Sequence, residues 1–254
     1  MTDVLWLNFL LITTRITSFF VTLPFMSYRG VPNLLKVFFA VVVAYLIFIS
    51  KGIAYPGEPY TTHRILLYIG GEVLTGLAMG FVVLLLFVVY RMAGQFMDVK
   101  IGLAMASVFD PQFGSPVTLL SQFYYLLAII IFFAVNGHHH LFLALSESFR
   151  LIPPGGAAFT DATAGIVLEA FYGLWALSFQ IAAPVIATAI ITDISLGLIS
   201  KTVPQLHVFL VGLPLKVFLG FLVVYLTLPY MSLLMEDVLE SLLTNLMNFL
   251  ESIT

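Results

Sequence analysis

The chain has 254 residues, of which 61% are apolar and 9% are charged, against roughly 45–50% and about 25% in soluble domains. This composition excludes an ordinary soluble enzyme. The net charge of -3 is too small and too balanced for a protein that binds nucleic acid through its phosphates. The chain has no cysteine, which excludes disulfides, thiolate metal sites and a cysteine nucleophile.

The apolar residues form about six segments that are long enough to cross a bilayer. A transmembrane helix needs about 20 predominantly apolar residues, so long stretches without charge are informative. Four such stretches lie between Glu72 and Arg91, Asp110 and Glu147, Glu169 and Asp193, and Lys216 and Glu236. Two more segments, 4–26 and 34–50, are each interrupted by one charge. We therefore expect an all-α integral membrane protein, with polar connections at 51–62 and 153–161.

Three charges fall within or at the edge of these apolar segments, namely Arg15, Glu72 and Lys216. An ionisable group in hydrocarbon is costly, so such residues mark either a transport path or a pair between helices. We favour a pair in which Glu72 meets Arg15 or Lys216 and fixes assembly. The same segment contains Gly76 and Gly80, a Gly-x-x-x-Gly spacing that lets a neighbouring helix approach closely.

The connection from Ile101 to Pro116 is unusually apolar for a loop, although glycine, proline and aspartate interrupt it. Its notable side chains are Met105, Val108, Phe109, Asp110, Pro111 and Phe113. Flexible methionine and bulky apolar side chains at a conduit exclude water and ions at rest and yield to a larger cargo. We interpret this loop as a gate, with plain packing inside the protein as the alternative.

The fourth segment is expected to run from Val117 to Val135, because Ser115-Pro116 is a helix start and Asn136-Gly137 a helix end. Ser115 is thus a cap rather than a nucleophile, since the sequence indicates neither a base nor an oxyanion hole. Three consecutive histidines, 138–140, follow. Adjacent helical residues point about 100° apart, so we favour capping and interfacial hydrogen bonding over a metal site. We expect no cofactor.

Proline interrupts the last two apolar segments, at Pro184 and Pro229. Each proline removes an amide donor, and we expect kinks that neighbouring protein must satisfy. From Met235 onward, apolar residues recur at spacings of three and four opposite an acidic face, which predicts an amphipathic helix. Its acidity disfavours an anionic lipid surface, so we expect it to pack on a protein partner, with disorder of the free tail as the alternative.

Several motifs together resemble one known family, the FliR proteins of the bacterial type III export gate. They are Gly-Leu-Ala-Met-Ala-Ser-Val-Phe-Asp-Pro-Gln at 102–112, Asn136-Gly137-His138-His139, Ser148-Phe149 with Pro153, Leu196-Gly197-Leu198, Pro204-Gln205 and Gly212-x-Pro214. They keep the order and the length of the family. The Gly137-His138-His139 region favours the flagellar branch over the virulence branch.

This resemblance implies a non-enzymatic subunit of the flagellar export gate, in the inner membrane at the flagellar basal body. Members of the family assemble in single copy with several copies of FliP and FliQ and work with FlhB. The assembly is a closed stack of kinked helical hairpins that conducts unfolded flagellar proteins and nucleates the rod. Sister subunits, besides membrane lipid, would then cover much of the apolar surface.

The resemblance also implies a division of the chain into two portions. Residues 1–156 would be FliP-like and include a plug loop at 101–116, and residues 157–254 would be a FliQ-like hairpin with the amphipathic C-terminal helix. Some relatives carry phenylalanine at the positions of Met105 and Val108, whereas this chain has Phe109 and Phe113. The residues expected in helix packing are Gly76, Gly80, Pro184, Gly197, Pro204, Gly212 and Pro214.

Two other functions compete with the export gate. A secondary transporter or channel for a small solute would need a polar pocket at mid-membrane depth, formed by broken helices. A membrane metalloenzyme ranks third, since only the histidine run suggests it.

Overall fold

A computed structural model of the chain describes residues 2–26, 32–51, 62–104, 118–157, 159, 161–202 and 208–253. These ranges contain α-helices and no β-strand. The helices are α1 (Thr2–Thr22), α2 (Asn33–Lys51), α3 (Thr62–Ile101), α4 (Leu119–Ala134), α5 (Gly137–Leu151), α6 (Asp161–Thr202), α7 (Val208–Thr227) and α8 (Tyr230–Ser252). Five of them are long and apolar enough to cross a membrane, and the bent pair of α4 and α5 makes a sixth. The prediction of an all-α membrane protein is confirmed.

Helices α1, α2 and α4 fall close to the predicted segments. Helices α3 and α6 are longer than predicted, because they continue through the charged residues that limited the predicted stretches. Helix α4 begins slightly after the expected Val117, with Thr118 and not the expected Ser115 as its N-cap, and it turns by 71° into α5. Asn136 lies at this bend with a φ of 57°, a left-handed conformation that asparagine tolerates. Pro184 lies inside α6, as expected. Pro229 interrupts the last apolar segment as expected, but it does so in a turn between α7 and α8 instead of as a kink within one helix.

The helices group into two compact units. The first contains residues 1–86, 136–172 and 238–254, and the second contains residues 87–135 and 173–237. Each unit therefore draws on both sides of position 157. The division into FliP-like and FliQ-like portions concerns resemblance to other proteins and stays a prediction.

Three phenylalanines from three helices form a partly buried cluster in the first unit. Phe20 of α1 stacks on Phe39 of α2 with ring centroids 5.4 Å apart, and Phe142 of α5 meets both rings edge-on at 6.4 Å and 6.3 Å. Offset and edge-on arrangements are the favoured geometries of aromatic pairs. The cluster therefore fixes α1, α2 and α5 against one another.

The amphipathic helix α8 buries its apolar face within the chain itself. The buried residues are Met231, Met235, Val238, Leu239, Leu242, Leu246, Phe249 and Leu250. A hydrogen bond of 3.3 Å from the Thr163 hydroxyl to the Ser252 carbonyl joins α6 to the end of α8. The expectation that another protein must cover this face is wrong, because helices of the same chain already remove it from water.

The second unit packs the last part of α3 against α4 and α6. The ring of Phe87 meets that of Phe132 of α4 edge-on, with centroids 5.3 Å apart, and the ring centroids of Phe96 and Phe179 of α6 are 4.8 Å apart. Helix α7 is much less covered, since only 17% of its candidate membrane span is buried, against 61% for α3. The apolar surface of α7 therefore requires lipid or another protein around it.

Candidate functional site

Arg15 and Glu72 form a fully buried ion pair between α1 and α3. Both side chains have 0% exposure. Arg15 donates from Nε to Glu72 Oε2 at 2.5 Å and from Nη2 to Oε1 at 2.9 Å. This is the two-pronged geometry that makes arginine–carboxylate pairs strong and directional.

The end of α5 satisfies the remaining donors of the guanidinium. Nη1 donates to the carbonyl and the hydroxyl of Ser148 at 3.0 Å and 3.3 Å, and Nη2 donates to the carbonyl of Ile152 at 3.0 Å. The Phe149 ring lies 4.4 Å from the guanidinium carbon, a cation–π distance. The backbone N–H of Gly155 donates to Glu72 Oε1 at 2.8 Å. The pair thus ties α1, α3 and the chain after α5 together.

This arrangement favours a structural role for the two charges over a transport role. A buried ion pair offsets its desolvation only when its remaining donors and acceptors are also paired. All five guanidinium N–H groups have an acceptor here. The structure thus brings together Arg15 and Glu72, one of the two pairings foreseen. Lys216 instead pairs with Asp193 of α6, and its side chain is 21% exposed.

Gly76 and Gly80 lie one and two turns after Glu72, where α3 contacts α1. A Cβ atom at Gly76 would overlap the carbonyl oxygen of Arg15 and lie 2.9 Å from Ser18 Cβ. At Gly80 it would lie 2.8 Å from the Phe19 carbonyl oxygen. The two glycines thus let the backbones of α1 and α3 approach, as small residues do in membrane helix pairs.

A second close approach joins α3 to the start of α4 in the second unit. A Cβ atom at Gly94 would lie 2.5 Å from Ser121 Cα and 2.6 Å from the Leu120 carbonyl oxygen. One turn later, Asp98 Oδ2 accepts hydrogen bonds from the N–H groups of Leu120 and Ser121, at 2.9 Å and 3.1 Å. The Asp98 side chain is fully buried.

Asp98 performs the role that an N-cap residue normally has. The N-cap of α4 is Thr118, which makes no side-chain capping bond. The first N–H groups of a helix lack partners within the helix and carry partial positive charge, so a carboxylate stabilises them. Sequence reasoning missed both Asp98 and Gly94. The sequence offers one indication of them. Gly94 and Asp98 are four residues apart on α3, as Glu72 and Gly76 are, although here the glycine comes first.

Helix α7 holds the end of α3 in the same unit. The Ile101 side chain occupies the space that a side chain at Gly220 would need, since a Cβ there would lie 2.6 Å from Ile101 Cγ2. Gly102 then leaves the helix with a φ of 92°, a left-handed conformation typical of glycine after a helix. Its N–H donates to the carbonyl of Asp98 at 3.1 Å.

The side chains proposed for the gate lie outside the described residues. They are Met105, Val108, Phe109, Asp110, Pro111 and Phe113, and Pro204 lies outside as well. Their roles stay predictions. The ends of the described chain on either side are at Ala104 and Thr118.

The other expected packing residues lie on α6 and α7. Pro184 is partly buried, Gly212 is buried and Pro214 is exposed inside α7. A Cβ at Gly197 would meet no atom within 4 Å, so any packing on Gly197 would have to come from outside the described chain.

The three histidines occupy the first turn of α5. The rings of His138 and His139 lie 4.3 Å apart, and His139 and His140 are exposed. Across the described ranges, no group of three or more histidine, cysteine or acidic side chains is arranged to hold a metal ion.

The fold and the ion pair define an all-helical membrane protein whose helices are joined by buried charge and close glycine contacts. A family model described as "Bacterial export proteins, family 1" matches residues 6–242. The chain therefore belongs to this family of bacterial export proteins.

The chain is also similar along its length to proteins named flagellar biosynthetic protein FliR. It is 33% identical to the protein of Bacillus subtilis over 95% of this chain and 94% of the relative. Identity to the Aquifex aeolicus protein is 30%, over 88% and 86% of the two chains. The Escherichia coli protein is 25% identical over 98% and 93%.

Proposed function

We propose that this chain is a non-enzymatic subunit of the flagellar type III export gate, located in the bacterial inner membrane at the flagellar basal body. It would form the protein-conducting conduit with homologues of FliP and FliQ and work with a homologue of FlhB. Unfolded export substrates pass through this conduit, and the flagellar rod is nucleated on it. Membership in a bacterial export family and the similarity to FliR proteins support this function.

The observation that carries the proposal is the length of two helices. Helix α3 has 40 residues and α6 has 42, which corresponds to about 60 Å each at 1.5 Å per residue. The hydrocarbon core of a bilayer is about 30 Å thick. Apolar helices of this length extend well beyond a bilayer core unless they are strongly tilted. The chain itself buries 61% of the apolar span of α3 but only 33% of that of α6, so α6 needs protein neighbours along the rest.

The exposed faces of the less covered helices support the same conclusion. Tyr225 and Phe218 of α7 are 73% and 65% exposed, and Phe38 of α2 is 67% exposed. Large exposed apolar side chains on each of these helices indicate an interaction site or a lipid contact. In the proposed assembly, FliP and FliQ homologues pack on it, and Gly197, Pro204 and Pro214 belong to the FliQ-like packing surface.

Co-purification tests the assembly. The full chain carries an affinity tag in a flagellated host and is extracted in mild detergent. We expect homologues of FliP and FliQ to elute with it in excess over the tagged chain. Elution of the folded chain alone, with export intact, would contradict the proposal.

A shortened plug loop tests the gate. In the proposed mechanism, the apolar side chains of the loop at 101–116 seal the conduit at rest. A chain that lacks residues 106–112 should still assemble, but cells that carry it should lose small ions across the membrane while they export flagellar proteins. Unchanged ion permeability with an assembled gate would refute the sealing role.

The described residues do not favour a small-solute carrier. Arg15 and Glu72 satisfy each other, so neither offers a free charge to a substrate. The cavities described along α1 and α2 have mostly apolar walls, for example one of about 430 Å³ lined by Leu5, Trp6 and Phe9. A carrier needs convergent polar groups to bind its solute. Solute uptake by vesicles that contain the purified chain alone would instead support a carrier function.

A further inference from the structure

A cavity of about 370 Å³ lies between the end of α1 and the start of α2. Its walls include Phe20 and Val21 of α1 and Val37 and Ala40 of α2, and the first turn of α2 adds Asn33 and Lys36. The Phe20 side chain is only 4% exposed, and its ring stacks on that of Phe39. This packing fixes one wall of the cavity, so the cavity is preformed in the folded helix pair, as ligand sites usually are.

The cavity opens on the outside of two helices that are long and apolar enough to cross a membrane. Val21 and Val37, which line it, are 65% and 54% exposed. Only 17% of the candidate span of α2, Asn33–Ser50, is buried within the chain, and Lys36 lies in the first turn of that span. A lysine at the end of a membrane span keeps its aliphatic stem on apolar surface and its ammonium at the level of the lipid headgroups. Acyl chains are therefore within reach of the apolar walls, and headgroups are within reach of Lys36.

The positive charge at this end of the cavity has no counter-charge nearby in the sequence. No acidic residue occurs between Asp3 and Glu58, and Asp3 lies at the opposite end of α1. Across the described ranges, Lys36 forms no ion pair, whereas Arg15 of the same helix pair is bound to Glu72. The first turn of α2, which has no acidic residue either, adds the partial positive charge of a helix N-terminus. This end of the cavity therefore favours an anion.

We propose that the cavity binds an anionic phospholipid, whose phosphate group contacts Lys36 and whose acyl chain lies against Phe20, Val21 and Val37. Basic pockets between membrane helices bind lipid headgroups in this way. The phosphate supplies the counter-charge that the helix pair lacks, and the acyl chain covers apolar surface that the chain itself leaves exposed. This inference goes beyond the export function and does not depend on it.

Native mass spectrometry of the purified full chain tests the proposal. The chain, in a neutral detergent, is titrated with dioleoylphosphatidylglycerol or with the zwitterionic dioleoylphosphatidylcholine, and the bound lipids are counted. We expect the first lipid molecule to bind about fivefold to tenfold more tightly when it is phosphatidylglycerol, because one lysine near a lipid surface contributes about this factor.

Substitutions of Lys36 test the contact with the phosphate group. Lys36→Met keeps an unbranched side chain and removes the charge, so it should abolish the preference for phosphatidylglycerol. Lys36→Arg should retain the preference. Lys201→Met on α6 is the matched control for loss of a lysine and should also retain it, since Lys201 is exposed and does not line the cavity.

A substitution of Val21 tests the apolar part of the site without altering its charge. Val21→Trp fills part of the cavity, and the larger side chain does not disturb the core because Val21 is largely exposed. We expect it to weaken the first binding of both lipids by about tenfold, the effect of about two methylene groups that lose their apolar contact. Val211→Trp on α7 is the control, since Val211 is 51% exposed and does not line the cavity.

Several results would overturn the proposal. They are equal binding of the two lipids by the unaltered chain, a preference that survives Lys36→Met, and binding that is insensitive to Val21→Trp. Displacement of the lipid by inorganic phosphate would also overturn it, because the apolar walls would then contribute nothing. If the co-purified complex retains no phosphatidylglycerol and both Lys36→Met and Val21→Trp lower the yield of its partners, a sister subunit covers the cavity and the assignment to a lipid is wrong. The lipid titrations use the purified chain alone, so a failure of the export-gate function would not change them.

Discussion

Arg15 and Glu72 bind each other through two hydrogen bonds although 57 positions separate them in the sequence. Neither charge has access to water, and each also bonds to backbone groups beyond the pair. The guanidinium also contacts the carbonyl groups of Ser148 and Ile152. The pair therefore joins three segments of the first unit, namely α1, α3 and the end of α5. Its energetic weight is therefore larger than that of an ordinary surface ion pair.

Removal of one partner of this pair should be strongly destabilising. Glu72→Gln leaves the buried guanidinium without its counter-charge, and we expect a loss of about 3–5 kcal/mol in the free energy of unfolding. Thermal unfolding of the detergent-solubilised chain measures the effect. The control is Arg150→Ala, which breaks the largely exposed pair with Glu147 and should cost at most about 0.5 kcal/mol. Similar losses for the two variants would show that the buried pair adds nothing.

Exchange of the two charges should not restore stability. In the double variant Arg15→Glu with Glu72→Arg, a carboxylate would face the carbonyl oxygens of Ser148 and Ile152, and a guanidinium would face the N–H of Gly155. The loss should therefore stay close to that of Glu72→Gln in the same unfolding assay. Recovery to near the stability of the unaltered chain would mean that the two charges interact only with each other.

The contact between α1 and α3 depends on the size of the residue at position 76. Gly76→Ala places a methyl group on the backbone of Arg15 and should cost about 1–3 kcal/mol of stability, because helix backbones cannot shift as a flexible side chain can. Gly70→Ala on the same helix is the control, since its Cβ would have no neighbour within 4 Å. Alanine is the better helix former, so Gly70→Ala should be neutral or stabilising by up to about 1 kcal/mol. Equal effects on the unfolding temperature would refute the close contact.

Much of the fold follows from the sequence, whereas the partner of each packing residue does not. Charge-free stretches predict the apolar helices, because hydrocarbon and protein cores both exclude unpaired charge. The burial of Arg15 and Glu72 follows from the same argument. The sequence does not predict that α1 is the helix that faces Gly76 and Gly80. This depends on the path of the chain through α2, which no local sequence pattern determines.

Asp98 shows where sequence reasoning stops. Its partners are backbone N–H groups 22 and 23 positions away, and backbone groups carry no sequence signal. A carboxylate one turn from a glycine occurs twice on α3, at Glu72 with Gly76 and at Asp98 with Gly94. Both pairs mark places where another backbone approaches the helix, so this spacing is a sign of close packing that a sequence alone offers and that is easily overlooked.

Loss of Lys216 should weaken the assembly more than it destabilises the isolated chain. Its partner Asp193 is 55% exposed, and breaking a partly exposed pair costs less than about 1 kcal/mol. If a sister subunit covers this part of α6 and α7, the pair becomes desolvated and its loss weakens the complex. Lys216→Met should therefore leave the unfolding temperature of the isolated chain nearly unchanged and reduce the yield of co-purifying FliP and FliQ homologues. Arg150→Met is the control for loss of a cation, and an equal fall in its yield would contradict a specific role for Lys216.

Helix α8 provides a test of whether the chain covers its own amphipathic helix. Leu246 is 0% exposed and Leu233, on the same helix, is 59% exposed. Leu246→Ala leaves a cavity in the core and should cost about 2–5 kcal/mol, whereas Leu233→Ala should change the stability of the isolated chain by no more than about 0.5 kcal/mol. The measurement is thermal unfolding of the purified chain without partners. If α8 needed another protein to bury its apolar face, Leu246→Ala would be silent in this assay and would lower only the yield of the complex.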